Sequence, residues 1–198
     1  MLSRHGGERQ QSAERLGCHP SQLLDASASL VPCSPRWRSP SFEAIRDYPD
    51  RRHNSLARAI AAVHGLDLAC VLPGNGASEL FTWAARDAAD VGVSRLHSPG
   101  FADYGRALRC WNGQLAETRL LLSWSDAFPQ EHPSPGEGDV AWICNPHNPT
   151  GQLWSRDSLE RLLQRYRLVI CDEAFLPLVS YGEQQSLIPL VVEHANLV

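Results

Sequence analysis

Apolar residues along this chain follow two periods. Unbroken runs at 140–144 (Val-Ala-Trp-Ile-Cys) and 168–171 (Leu-Val-Ile-Cys) read as strands buried on both faces. Runs at 70–72 and 93–97 predict two more strands, and Leu120-Leu121-Leu122 a further short one. Between them apolar residues recur at helical spacing. Leu56, Ile60 and Val63 mark the buried face of one helix, with Asn54 or Ser55 as its cap and Gly65 at its end. A longer helix runs from Leu80 to about Asp90, and Leu159, Leu162, Leu163 and Tyr166 define another behind a Ser155 cap. The tail, 187–198, reads as a helix and then the opening of a strand at 195–198. Strands alternating with helices predict a three-layer α/β/α domain with a mostly parallel sheet from about residue 50 onward. Residues 1–46 read as an arm, rich in Pro, Ser and Arg and weak in periodicity, and 47–198 as part of one large domain.

Polar turns follow the predicted strands, which places them together at the carboxyl edge of a parallel sheet, where ligands bind. Asn145-Pro146-His147-Asn148-Pro149-Thr150-Gly151 follows one strand, and Asp172-Glu173 the next. Pro73-Gly74-Asn75-Gly76-Ala77-Ser78-Glu79 is a glycine-rich turn opening a helix. Free N–H groups and the positive dipole end make such a place an anion site, and Ser78 adds a hydroxyl. Ser98-Pro99-Gly100-Phe101-Ala102-Asp103-Tyr104 follows another strand. Taken singly, these are a proline turn, a helix cap, a capped helix start and a core aromatic.

Composition narrows the chemistry. A formal net charge of -4 over 198 residues gives no reason to expect nucleic acid or an anionic membrane as partner. No apolar run reaches the length of a membrane span, and the start lacks a signal-peptide pattern. Six cysteines form no CxxC pair, and two sit in predicted strands, which suits reduced thiols in a cytoplasmic protein. No Cys or His pair has zinc-ligand spacing, so no metal is expected. All 18 basic residues are arginines. Arginine cannot replace lysine as an amine nucleophile. A P-loop ATPase, which the run Val169-Ile170-Cys171-Asp172-Glu173 suggests, is excluded because that loop needs a lysine.

The phosphate turn, the aromatic after 97, the 145–151 motif and Asp172-Glu173-Ala174-Phe175 stand in one order, each after a predicted strand. Together they resemble the aminotransferase class I/II families of pyridoxal-phosphate enzymes, fold type I. The resemblance implies roles. Gly76, Ala77 and Ser78 bind the cofactor phosphate, Phe101 stacks on its ring and Asn148 bonds its phenolic oxygen. Asp172 pairs with the pyridine nitrogen and keeps it protonated. Tyr48, in Asp47-Tyr48-Pro49-Asp50, reaches the partner's cofactor phosphate across a homodimer. Many aminotransferases carry a tyrosine at the place of Phe175, whereas phenylalanine is common in the threonine-phosphate decarboxylase branch.

That branch, part of the histidinol-phosphate aminotransferase group, often begins with His-Gly-Gly, matched here by His5-Gly6-Gly7. There the arm helps to hold the substrate's phosphate, and its second motif corresponds to 25–32. Glu8 and Leu30 depart from that pattern, where asparagine and a polar residue are common. The expected reaction is decarboxylation of L-threonine O-3-phosphate in cobalamin side-chain synthesis. Histidinol-phosphate transamination is the runner-up, and a non-catalytic remnant or interaction protein the reading of another class. The resemblance covers nearly all of this chain but only about the first half of a family member. The Schiff-base lysine and the small carboxyl-terminal domain lie beyond it. The chain as given is therefore expected not to turn over, to be poorly soluble or partner-dependent, and to bind cofactor weakly and without a covalent bond.

Overall fold

The computed structural model describes residues 6–27, 39–121 and 128–198. The chain divides into two compact units, Met1–Pro49 and Asp50–Val198. His5, Leu30 and Leu122 lie outside the described residues.

The first unit holds α1 (Arg9–Leu16), a 3-10 turn at Pro20–Gln22 and α2 (Phe42–Arg46). Among its described residues only Ala13 is buried. Its two sequence motifs meet. The Gly7 N–H donates to Ser27 Oγ at 3.0 Å, and Ser27 Oγ donates to Asp25 at 2.6 Å. Gly6 is required there, because a Cβ would lie 1.7 Å from the Ser27 carbonyl oxygen. Tyr48 is fully exposed.

The second unit contains α3 (Asn54–His64), α4 (Ala77–Val91), β1 (Ser94–Ser98), α5 (Ala102–Cys110), β2 (Leu115–Arg119), β3 (Val140–Cys144), α6 (Arg156–Leu163) and β4 (Leu168–Asp172). The four strands form one parallel sheet in the order β2-β1-β3-β4. Strand alternation splits the core. Leu96, Val140, Trp142, Cys144, Leu168 and Ile170 pack with Phe81, Ala85 and Ala88 of α4 and Tyr104, Ala107 and Leu108 of α5. Ala141, Ile143 and Val169 face the other way, against Trp154, Leu159, Leu162 and Leu163 and against Leu187, Leu190 and Leu197 of the tail. Both faces are covered, so the expected α/β/α layering is present and β3 is buried at every position. At the outer edge of β4, Cys171 N–H donates to Val198 O and Val198 N–H to Val169 O, which opens the strand expected at 195–198.

Several local expectations are corrected. Residues 70–72 form no strand. Asp67 caps a 3-10 turn at Leu68–Cys70 by accepting from Ala69 N–H at 2.8 Å, and among the described residues no strand pairs with Leu72, which stays exposed. Neither Asn54 nor Ser55 caps α3. Asp50 does so, accepting from the N–H groups of Arg52 and Asn54, with His53 in the left-handed region. The buried face of α3 carries Ala57 and Ala61, whereas Leu56 and Val63 are exposed because no described side chain covers them. Leu120 follows β2 instead of starting a strand. Pro129, Pro133 and Pro135 predict a surface loop from sequence, but Pro135 is buried, and Thr118 Oγ1 and Tyr166 OH donate to the carbonyls of Pro135 and Gly136. In place of the helix expected in the tail there is a 3-10 turn at Ile188–Leu190, since Pro189 suits a first helical turn and no later one. Gly65 ends α3 in the left-handed conformation and Ser155 caps α6, both as expected.

Candidate functional site

The sheet order turns back between β1 and β3, so the loops after these strands flank a crevice at the carboxyl edge. Phe101 leaves the β1 side and the 145–151 loop leaves the β3 side. Asp172 ends β4 in register with Cys144.

The 145–151 loop is held by its own side chains. Asn145 is fully buried; its Oδ1 accepts from Trp154 N–H at 2.9 Å and its Nδ2 donates to Trp154 O at 3.3 Å. The Trp154 indole N–H donates to Cys144 O. Gly151 N–H donates to His147 O and His147 N–H to Gln152 O, closing the turn. Asn148 sits at its tip, half-buried, and its side-chain amide has no hydrogen-bond partner among the described residues. The two asparagines of one motif thus differ: one braces the loop and the other presents a free amide.

Asp172 is half-buried, with both oxygens engaged. Oδ2 accepts from Tyr104 OH at 2.6 Å and Oδ1 from Ala174 N–H at 3.0 Å. Burial, then the Cys144 thiol and Asp172, push the Tyr104 phenol far up, so it stays protonated and donates. Burial and the nearby Asp172 push the Cys144 thiol up to about 11, which keeps it neutral beside the carboxylate. Tyr104 is wedged among Phe81, Phe101 and Trp142 at ring separations of 5.0, 5.4 and 5.3 Å. Phe101 is half-buried at the rim of this aromatic group.

Gly76, Ala77 and Ser78 are exposed at the start of α4, which begins three residues earlier than expected. Gly76 has φ 81 and no atom within 4 Å of an added Cβ, so glycine is needed for the turn and leaves open space there. One anion is already present, since Glu79 Oε2 accepts from Asn75 N–H at 2.5 Å. Arg106 of α5 donates to the Ser78 carbonyl at 3.0 Å and pairs with Asp103, one residue before Tyr104. Through α5 the 76–78 turn is therefore linked to Asp172 on the same sheet edge. Beside the turn a cleft of about 510 Å³ is lined by His53, Leu56, Leu72, Asn75, Glu79 and Trp83.

Tyr104, Asn145 and Trp154 had no assigned role in the sequence. The signal for Tyr104 was present: it lies three residues after Phe101, in the first turn of the helix that Phe101 precedes. A histidine group borders the crevice: His97, His132 and His147 line one small cavity with Phe101, Tyr104 and Cys144. His132 and His97 rings are 5.2 Å apart, and His132 Nδ1 is buried without a hydrogen-bond partner among the described residues. Burial lowers His132 to about 3 and His147 to about 4. Among the described residues no group of His, Cys, Asp and Glu is arranged to hold a metal ion, and no helix is long and apolar enough to cross a membrane.

The donor set suits a phosphorylated pyridine. It offers a carboxylate under an aromatic rim, a free amide and an open helix start. Comparison with known proteins agrees. The threonine-phosphate decarboxylase of Salmonella typhimurium is 32% identical over 98% of this chain and 56% of its own length. The histidinol-phosphate aminotransferase of Flavobacterium johnsoniae is 28% identical over 81% of this chain and 46% of its own. The histidinol-phosphate aminotransferase of Sinorhizobium meliloti, solved in complex with pyridoxal-5'-phosphate, superposes with a TM-score of 0.60 at 18% identity, over 76% of this chain and 42% of that one. The chain spans about half the length of the curated relatives it matches. Residues 38–198 match the aminotransferase class I and II family, and the chain belongs to that family.

Proposed function

We propose that this chain forms the ring- and phosphate-binding part of a pyridoxal-phosphate enzyme that decarboxylates L-threonine O-3-phosphate to an aminopropanol phosphate. The observation that carries the cofactor reading is the Tyr104–Asp172 pair beneath Phe101. Asp172 holds a proton on the ring nitrogen, and Phe101 sets the plane of the ring. The free Asn148 amide donates to the phenolic oxygen, and the N–H groups at Gly76, Ala77 and Ser78 receive the phosphate. For Tyr48 across a homodimer, and for His5, Gly6 and Gly7 at the substrate's phosphate, the support is the family pattern. Pyridoxal phosphate, when bound, supplies a ring that withdraws electrons from the substrate's α-carbon.

The decarboxylase reading is supported by Phe175, by the meeting of Gly7 with Ser27, and by the match to the Salmonella protein over nearly the whole chain. Transamination of histidinol phosphate is the second reading, favoured by the Flavobacterium match. Free cysteines at 18, 70, 110, 144 and 171 support a reducing, cytoplasmic setting. All 18 basic residues are arginines, so the side chains that bind the cofactor hold it without a covalent bond. The test is equilibrium binding of pyridoxal phosphate to the purified chain, followed by borohydride reduction and mass spectrometry. Reversible binding, lost at least tenfold in Asp172→Asn, is expected. An adduct on an internal residue, CO2 release by this chain, or equal binding by the variant overturns the reading.

A further inference from the structure

We propose that Arg106 is a positioning residue that holds the 76–78 turn at the distance from the ring rim that a phosphorylated pyridine spans. The inference rests on the cofactor reading and extends it to a group outside the expected binding set. Arg106 lies on α5, the helix that Phe101 caps. Its guanidinium reaches across to the first turns of α4. Nη2 donates to the Ser78 carbonyl at 3.0 Å and to Thr82 Oγ1 at 3.1 Å. Thr82 Oγ1 donates to the same Ser78 carbonyl at 2.8 Å. Directly after α5, the Trp111 indole N–H donates to Thr82 O at 2.7 Å. The start of α4 is thus tied to α5 at two places.

The guanidinium is aimed from its own helix. Nε and Nη2 fork onto the two oxygens of Asp103, one turn earlier, whose carboxylate is 4% exposed. Asp103 offsets the charge, so Arg106 acts at the turn by position. A planar fork can hold a carboxylate and still present an N–H to a carbonyl in a fixed direction; an ammonium group cannot. An anion at the turn gains in two ways. The bond to Ser78 fixes the peptide between Ser78 and Glu79, and with it the direction of the first-turn N–H groups that have no partner within the helix. Donors to a carbonyl also polarise its amide, which makes the Glu79 N–H a stronger donor. The turn itself is exposed, so few other contacts mask the loss of this tie. Phe101 and Arg106 therefore place the two ends of one ligand from a single helix.

The probes are 4′-deoxypyridoxine 5′-phosphate and 4′-deoxypyridoxine, which differ only in the phosphate, each titrated into the chain by NMR. Arg106→Lys keeps a positive charge beside the buried Asp103 and loses the fork. It should bind the phosphate-bearing probe about tenfold more weakly. The phosphate-free probe should bind as it does to the unmodified chain. If that probe binds neither chain, the ring end is read from the Phe101 ring signals with the phosphate-bearing probe at saturation, which should be unchanged. Arg106→Gln combined with Asp103→Asn keeps a neutral, hydrogen-bonded pair in case lysine does not fold, and should show the same selective loss. Arg86→Gln removes a surface charge later in α4 and should change neither affinity. Equal losses for both probes, shifted Phe101 signals at saturation, no loss in a folded Arg106 variant, or an equal loss in Arg86→Gln overturns this inference and leaves the cofactor reading standing. Absence of binding of the phosphate-bearing probe to the unmodified chain overturns the cofactor reading, and this inference falls with it.

Discussion

The two loops that would hold opposite ends of one ligand are built differently. The loop after β3 is braced from inside: Asn145 is clamped on Trp154, and Trp154 on Cys144. The turn before α4 is exposed, follows a 3-10 turn rather than a strand, and borders a cleft with Leu56, Leu72 and Trp83 at its surface. The first loop gets its shape from contacts within the described residues. The second offers free N–H groups but few contacts of its own. On the proposed reading the ring end of the site is pre-formed, while the phosphate end has fewer contacts among the described residues to hold its shape.

Truncating a tryptophan on each side should show the largest difference between the two loops. Trp154→Ala empties a fully buried position and should cost about 3–5 kcal/mol in urea unfolding. Trp83→Ala, at a half-exposed position, should cost under about 1 kcal/mol. Equal losses would show that the two sides are equally well packed. Acid should act on the braced side next. His132 and His147 are neutral in the folded chain, with values lowered by burial to about 3 and about 4 from an ordinary 6.5. Their unfolded forms bind protons first. Stability is therefore complete above pH 6.5 and is lost as pH falls towards 4 and then 3. Urea unfolding should report a loss of about 4 kcal/mol between pH 7 and pH 5, and His132→Gln should flatten part of that slope. A smaller contrast separates the two asparagines. Asn145→Ala orphans both backbone groups of Trp154 and should cost about 2 kcal/mol. Asn148→Ala should stay within about 0.5 kcal/mol in stability while weakening cofactor binding.

Much of the fold could be read from the chain because β3 and β4 are continuous apolar runs that only a covered parallel sheet can bury. The cap at Ser155 and the stop at Gly65 were legible for local reasons, being set within a few residues. Residues 70–72 were not, since a short apolar run becomes a strand only with a neighbour to pair with, and Asp67 offered the backbone a turn instead. The face of α3 was misread for a related reason: periodicity marks which side is apolar, not whether anything covers it. Within the site, Asp172 and Asn148 stood out by their place after strands. The division of labour between Asn145 and Asn148 did not, because it depends on Trp154 folding back across the loop.

Every ladder in the sheet joins strands that the sequence separates by at least one helix or a long connection. Such pairings reward the chain only after its intervening segment is ordered, so helix contacts such as those of α4 with α5 have a kinetic head start. The crevice between β1 and β3 exists only once its non-local ladder has closed. A ligand there meets a shape that the folding transition state largely lacks. It should therefore act as a brake on unfolding rather than as a guide to folding, lengthening the life of the native chain without hastening its arrival.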